Sequence, residues 1–190
     1  MRRFRSIVIS GNPKSGKSSL SSMLSGAYGW RKISIGDMWR ERWRKAYPNG
    51  DVSFESYWGS TSMEDNQNIN AIAKEEFEKG EVVADSRFCQ YLDSGICLLV
   101  FLTADVSIRA QRASVDGEYK GRDVKDIERI LNGREEDEVR IGKELFGTDY
   151  RDPKFFHLVL NTGLMSKEDE FRAVDCIMRG QMPSGPLERS

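Results

Sequence analysis

Near the start of the chain lie nine residues with the types and spacing needed to hold a row of phosphates: Gly11, Asn12, Pro13, Lys14, Ser15, Gly16, Lys17, Ser18 and Ser19. In the spacing Gly-x-x-x-x-Gly-Lys-Ser, successive backbone N–H groups can form an anion nest at the N-terminus of a helix. Lys17 can then reach the β- and γ-phosphates, and the Ser18 hydroxyl can ligate Mg²⁺. We therefore predict a site for ATP and Mg²⁺; an ordinary glycine turn is the alternative.

The elements around this loop agree with that interpretation. The apolar residues 7–9 predict a strand that enters the loop, and apolar residues at helical spacing after it predict a helix that leaves it. Further strands are predicted at 31–35, 82–85, 96–102 and 157–160, and further helices at 36–46, 65–79, 106–113, 124–146 and 167–178. Strands that alternate with helices predict an α/β fold with a parallel sheet and helices on both faces. Ligands of such sheets bind at the carboxyl ends of the strands.

Charged residues occupy four positions close to that edge. Asp85 closes a short apolar strand and could hold Mg²⁺ through water, or it could belong to a turn. Arg87 could grip a phosphate with two hydrogen bonds, or form a surface ion pair, for example with Asp85. Asp37 and Arg40 open the helix after the second strand, where Asp37 could be no more than an N-terminal cap.

The long helix 124–146 carries two charges in its apolar stripe. Arg134 and Glu138 follow the spacing of Ile127, Leu131 and Ile141. They could form an intrahelical salt bridge, which would add a few tenths of a kcal/mol. Two charges in a seam have a desolvation cost, however, so we predict that they face a site.

Basic residues also surround a polar segment, residues 114–123. They are Arg109, Arg112, Lys120, Arg122 and Lys125. We predict a mobile lid at about 113–125, whose arginines stabilise charge on a transferring phosphoryl group while closure excludes water. A solvated charged loop is the alternative, chiefly for the last three. His157 begins the last strand without a partner acid in the sequence, and we interpret it as structural.

The composition excludes several classes of function. The 190 residues carry 29 Lys and Arg against 30 Asp and Glu, so the net charge of −1 provides no general field for nucleic acid or membranes. The scattered cysteines Cys89, Cys97 and Cys176 do not have zinc-ligand spacing, and we expect them to be reduced and buried. We expect a cytoplasmic monomer whose partners are small-molecule nucleotides.

Six segments together resemble the cytidylate kinases, especially the short archaeal-type branch of the nucleoside monophosphate kinases. They are residues 7–18, 33–40 (ISIGDMWR), 80–87 (GEVVADSR), 102–112 (LTADVSIRAQR), 134–147 (REEDEVRIGKELFG) and 158–164 (LVLNTGL). The resemblance covers nearly the whole chain. It implies transfer of the γ-phosphoryl group of ATP to CMP or dCMP.

The resemblance also implies roles for individual residues. Lys17 and its loop would bind the ATP phosphates, and Asp37, Arg40 and Arg87 would line the monophosphate pocket. From its place in the apolar stripe of the long helix, we predict that Glu138 also binds the substrate. The transferring group would be enclosed by three arginines, Arg109, Arg112 and Arg134. Three places differ from the family's usual pattern: Lys14 replaces a glycine, Asp85-Ser86 replaces Glu-Gly, and Ile141 replaces an arginine.

We therefore predict a P-loop NTPase three-layer sandwich with a five-stranded parallel sheet in the order 2-3-1-4-5. One domain would span 1–180, with a monophosphate-binding insert at about 36–80 and a flexible tail at 181–190. Another small-molecule kinase on the same frame is one alternative function. A nucleotide-binding protein without turnover is the other.

Overall fold

The computed structural model describes residues 4–115 and 117–180. Its five strands are β1 (Ser6–Gly11), β2 (Arg31–Ser34), β3 (Val82–Asp85), β4 (Cys97–Thr103) and β5 (Leu158–Asn161). They pair in parallel in the order β2-β3-β1-β4-β5. The helices are α1 (Lys17–Tyr28), α2 (Ile35–Ala46), α3 (Phe54–Gly59), α4 (Met63–Lys79), α5 (Val106–Ser114), α6 (Val124–Phe146) and α7 (Lys167–Met178). Single 3₁₀ turns lie at Gly117–Tyr119 and Pro153–Phe155.

The sheet is buried on both faces because helices cover each of them. Alternate side chains of a strand point to opposite faces, so Val8 packs on one side of the sheet and Ile7 and Ile9 pack on the other. The first side is completed by residues of α2, α3, α4 and α6, and the second by residues of α1 and α7. The predicted α/β three-layer sandwich and its strand order are confirmed.

Local capping explains where several helices begin. The Ser34 hydroxyl accepts a hydrogen bond from the Asp37 backbone N–H at 3.2 Å, so Ser34 is the N-terminal cap of α2. The alternative that Asp37 itself caps this helix is wrong. Asp123 caps α6 and Gly147 ends it in a left-handed conformation, which is why the predicted bounds 124–146 match the helix.

The sequence did not predict helix α3, whereas it did predict a structural role for His157 and burial of the cysteines. No helix was predicted at α3, which begins at the cap Ser53. His157 is structural as expected, since its Nδ1 accepts the Leu99 backbone N–H at 3.0 Å. Cys89 and Cys97 are buried, whereas Cys176 is only partly buried, which corrects the expectation for that residue.

Two further findings concern the chain as a whole. The expectation of a flexible tail at 181–190 lies outside the described residues. Within the described residues, none of the helices has both the length and the apolar character needed to cross a bilayer.

Candidate active site

A cavity of about 640 Å³ opens at the carboxyl ends of β1, β2 and β3. Seven cationic side chains line it: Lys14, Lys17, Arg40, Arg87, Arg112, Arg134 and Lys167. Five acidic side chains also line it: Asp37, Asp85, Glu118, Glu138 and Glu170. The excess of positive charge suits an anionic ligand. The cavity brings together all the predicted charged site residues except Arg109.

The phosphate loop connects β1 to α1 through a backbone path in which three residues have a positive φ. Gly11 has a φ of 148°, and a Cβ atom there would lie 2.2 Å from the Leu102 carbonyl oxygen. Gly16 has a φ of 103° and leads directly into α1. Lys14 has a φ of 62°, a left-handed conformation that glycine adopts at little cost. The loop therefore keeps a glycine-like backbone at the position where the family usually has glycine.

Lys17 folds back over this loop. Its Nζ donates hydrogen bonds to the carbonyl oxygens of Gly11 and Asn12, both at 2.8 Å. Burial lowers the pKa of Lys17 to about 8, although the charges of Asp85 and Glu138 oppose this shift. An anion bound at the loop would favour the charged ammonium.

Lys14 connects the phosphate loop to the predicted lid segment. Its Nζ lies 2.7 Å from Glu118 Oε2 and 5.0 Å from the centre of the Tyr119 ring. Arg134 Nη1 approaches the other Glu118 oxygen at 3.7 Å. Burial acts to raise the pKa of Glu118, but the hydrogen bond from Lys14 and the nearby cations lower it overall. The lysine that departs from the family pattern thus holds residues 117–119 against the loop.

In the same cavity, Glu138 lies between two arginines. Its Oε1 lies 2.7 Å from Arg87 Nε and 3.5 Å from Arg134 Nε, and its Oε2 accepts the Tyr150 hydroxyl at 3.0 Å. Glu138 is only 1% exposed. The guanidinium of Arg87 also lies 4.4 Å from the centre of the Trp58 ring, a cation–π contact. The suggested partner of Arg87, Asp85, is therefore wrong, and the pair Arg134–Glu138 is part of a larger buried network.

Asp85 and Ser18 provide oxygen atoms near Lys17. Burial raises the pKa of Asp85, while the charges of Lys17 and Lys32 oppose that effect. The Ser18 hydroxyl is exposed and accepts a hydrogen bond from Lys32 Nζ at 3.1 Å. A carboxylate and a hydroxyl are ligands that suit Mg²⁺. Across residues 4–115 and 117–180, groups of three or more Asp, Glu, His or Cys suited to a metal do not occur.

The two arginines of α5 have different surroundings. Arg112 lines the cavity and donates to the hydroxyl and the carbonyl of Thr162 at 3.0 and 2.6 Å. Arg109 lies outside the cavity, and its guanidinium donates to the carbonyls of Ala104 and Pro13 and to Glu135. This placement differs from the expectation that Arg109 closes around the transferring group. Its guanidinium hydrogens are donated to the protein instead, and the one to the Pro13 carbonyl supports the phosphate loop.

The remaining predicted positions lie at the edges of the site. Arg40 Nη1 pairs with Asp37 Oδ1 at 3.1 Å, and the Arg40 guanidinium lies 5.3 Å from the centre of the Phe54 ring. The last three basic residues near the lid, Lys120, Arg122 and Lys125, are exposed, as the alternative of a solvated loop requires. Ile141 is buried in the core.

Several cavity residues were not identified individually from the sequence: Phe54, Asn66, Asn70, Glu118, Met165, Lys167 and Glu170. The apolar spacing of Phe54, Tyr57 and Trp58 is helical and could have revealed α3. The acidic and amide residues carried no such signal. Their place in the cavity depends on how α4, α6 and the lid segment pack.

Solved structures of two kinases have a similar fold. A shikimate kinase from Acinetobacter baumannii has a TM-score of 0.57 and 15% identity, with 96% of this chain and 97% of that chain covered. A gluconokinase from Sinorhizobium meliloti has a TM-score of 0.55 and 18% identity, with 95% of each chain covered. These likenesses show the fold alone, an α/β sandwich in which the first strand leads into the phosphate loop.

Sequence relatives narrow the class. A cytidylate kinase from Ignicoccus hospitalis is 32% identical over 166 residues, which are 85% of this chain and 92% of the relative. A cytidylate kinase from Methanopyrus kandleri is 27% identical over 195 residues, with 93% and 96% covered. No family model matches the chain. The chain belongs to the cytidylate kinase family and is a phosphotransferase of the nucleoside monophosphate kinase class.

Proposed function

We propose that the chain transfers the γ-phosphoryl group of ATP to CMP or dCMP. A phosphate oxygen of the acceptor forms a bond to the γ-phosphorus, the bond from that phosphorus to the bridging oxygen breaks, and ADP leaves. One observation carries the proposal: the phosphate loop and the network of Arg87, Arg134 and Glu138 line the same cavity. Two groups of anion-binding residues in one cavity suit two phosphorylated substrates.

The donor would be held by residues 11–19. Backbone N–H groups of the loop would bind its phosphates, and Lys17 would exchange its two carbonyl partners for phosphate oxygens. Ser18 and Asp85 would hold Mg²⁺, Asp85 through water, and the ion would neutralise charge on the β- and γ-phosphates. We propose ATP and Mg²⁺ as the partners of this half of the site.

The acceptor would be held around Arg87, in the part of the cavity that we name the acceptor wall. Arg87, fixed by Glu138 and by the face of Trp58, would bind the phosphate of the monophosphate, and Arg40 with Asp37 would complete the pocket. The insert 36–80 would supply this pocket. Arginine suits the role because its planar guanidinium can donate two hydrogen bonds to one phosphate.

The transferring group would be stabilised by fixed positive charge. Arg134 and Arg112 line the cavity beside Lys17, and they would neutralise charge that develops during transfer. In its present position, Arg109 would act by holding the phosphate loop through the Pro13 carbonyl. Closure of the lid, residues 113–125, is the step that would bring Arg109 to the transferring group. We further propose that a monomer carries out this reaction on small-molecule nucleotides.

The test is an acceptor panel with purified protein, ATP and Mg²⁺. CMP, dCMP, UMP, AMP, shikimate and gluconate are compared by release of ADP and by the phosphorylated product. We expect the diphosphate from CMP or dCMP, and a loss of about 100-fold or more in kcat for Lys17→Met. Turnover only with a non-nucleotide acceptor would establish the alternative function, a small-molecule kinase that does not act on nucleotides. ATP binding without any turnover would favour a non-catalytic role.

Arg87→Met tests the acceptor half separately. We expect a larger rise in KM for CMP than for ATP, because this arginine lies at the acceptor wall. Arg140→Met is the control, since Arg140 is about half exposed on the same helix as Arg134 and pairs with Asp137 and Glu144 on the surface. Equal effects of Arg87→Met on both substrates would contradict its assignment.

A further inference from the structure

Asn66 is a buried amide at the cavity whose two hydrogens are both used within the protein. The residue is 8% exposed and lines the cavity from α4. Its Nδ2 donates to the Thr61 hydroxyl at 3.3 Å and to the Ser62 carbonyl at 2.9 Å. An amide nitrogen has two hydrogens, so both are used. In the described part of the chain, Oδ1 accepts no hydrogen bond.

These contacts connect Asn66 to the acceptor wall. The Thr61 hydroxyl that receives one amide hydrogen donates its own hydrogen to the Trp58 carbonyl at 2.8 Å. The Trp58 ring in turn makes the cation–π contact with the guanidinium of Arg87. The amide is therefore held in one orientation relative to the arginine that would bind the acceptor phosphate.

Asn70 follows one turn later on the same helix. Residues four apart lie on the same face of a helix, and Asn70 also lines the cavity. It makes no hydrogen bond through its side chain within residues 4–115 and 117–180. The wall therefore presents an acceptor whose orientation is fixed and, beside it, an amide that can turn to donate.

We propose that Asn66 and Asn70 read the base of the acceptor and select cytosine over uracil. This inference rests on the proposed function. Cytosine presents an exocyclic amino donor next to ring acceptors, whereas uracil presents a carbonyl oxygen at the amino position. Asn66 Oδ1 accepts from the cytosine amino group, and the Asn70 amide donates to a ring acceptor. With uracil, two acceptors face each other and both lose their hydrogen bonds with water.

The test compares kcat/KM for CMP and UMP in the full chain and in three variants: Asn66→Leu, Asn70→Leu and Asn68→Leu. Asn68 is the matched control, because it is an exposed asparagine on the same helix. We expect the natural chain to prefer CMP by about 10- to 100-fold. In Asn66→Leu the preference should fall to about 3-fold or less, and Asn70→Leu should lower it partially. Asn68→Leu should keep it.

A substrate series keeps the inference testable if Asn66→Leu does not fold. The monophosphate of 2-pyrimidinone riboside has a hydrogen where cytosine has its amino group. For the natural chain we expect CMP to be used best, this analogue to be intermediate and UMP to be used worst. Equal use of CMP and UMP, or an unchanged ratio in Asn66→Leu, would overturn the inference. Its failure differs from failure of the proposed function, in which no nucleoside monophosphate is phosphorylated.

Discussion

Removing the charge of Glu138 tests whether the buried network supports the fold. Glu138→Gln keeps the shape of the side chain but removes the negative charge between Arg87 and Arg134. The amide oxygen can still accept the Tyr150 hydroxyl. The two guanidinium groups then lie near each other without a shared countercharge, in a cavity that already has more cations than anions.

The magnitude follows from the distances. Unit charges about 3 to 4 Å apart interact by about 4 kcal/mol at an effective dielectric constant of 20. Loss of one partner from a buried ion pair costs about 3 to 5 kcal/mol. The hydrogen bond from Tyr150 is retained, and the neutral amide has a smaller desolvation cost than the carboxylate. We therefore expect a loss in the free energy of unfolding near the lower end, at about 3 kcal/mol. For a domain of this size, that corresponds to a fall in Tm of about 6 to 12 °C.

Urea unfolding at pH 7 measures this loss, with Glu136→Gln as the matched control. Glu136 is an exposed glutamate on α6, two residues before Glu138. Its replacement should change the free energy of unfolding by less than about 0.5 kcal/mol. Inorganic phosphate should restore more stability to Glu138→Gln than to the natural chain, because the arginines regain an anion. Equal stability of the two variants would refute the reasoning.

Three further predictions concern the phosphate loop. Gly11→Ala should lower the free energy of unfolding by about 2 to 3 kcal/mol, because its Cβ would collide with a backbone carbonyl. Gly26→Ala is the control: it has open space around it in α1 and should be neutral or stabilising in the same urea titration. ATP binding at pH 8 should take up about half a proton, since the pKa of Lys17 is about 8 in the free protein and phosphates raise it. Calorimetry in two buffers measures this uptake, and Lys17→Met should abolish it. Because binding takes up a proton, ATP should bind more weakly as the pH rises through 8. Lys14→Ala should speed hydrogen exchange at 117–119 by releasing Glu118. It should change Tm by no more than about 2 °C, because a partly exposed ion pair contributes little; unchanged exchange would show that Lys14 does not hold these residues against the loop.

Parts of the site follow from the sequence because their signal is local. The glycines, the lysine and the serine of residues 11–18 stand between an apolar strand and an amphipathic helix, and the caps Asp123 and Gly147 define α6. The stripe of α6 carries Glu138 among apolar residues, which indicated that it faces inward. In each case neighbours along the chain supply the information, and burial of both sheet faces leaves few ways to arrange the strands.

Other features depend on contacts between distant segments. The sequence placed Arg109 and Arg112 together, yet Arg109 braces Pro13 behind the loop, while Arg112 lines the cavity. Glu118 meets Lys14 across 104 residues of sequence. Nothing local distinguishes Asn66 from Asn68, one buried at the cavity and the other exposed.

By itself, then, the sequence determined the class of fold, the phosphate-binding loop and the place of Arg87 just beyond the end of β3, because strand periodicity, helix caps and loop spacing act over a few residues. The tertiary structure alone decided which carboxylate holds Arg87, which arginine of α5 reaches the cavity and which partners take the amide hydrogens of Asn66. Those outcomes depend on which neighbour satisfies each buried charge or amide hydrogen, and such neighbours come together only when the helices pack on the sheet.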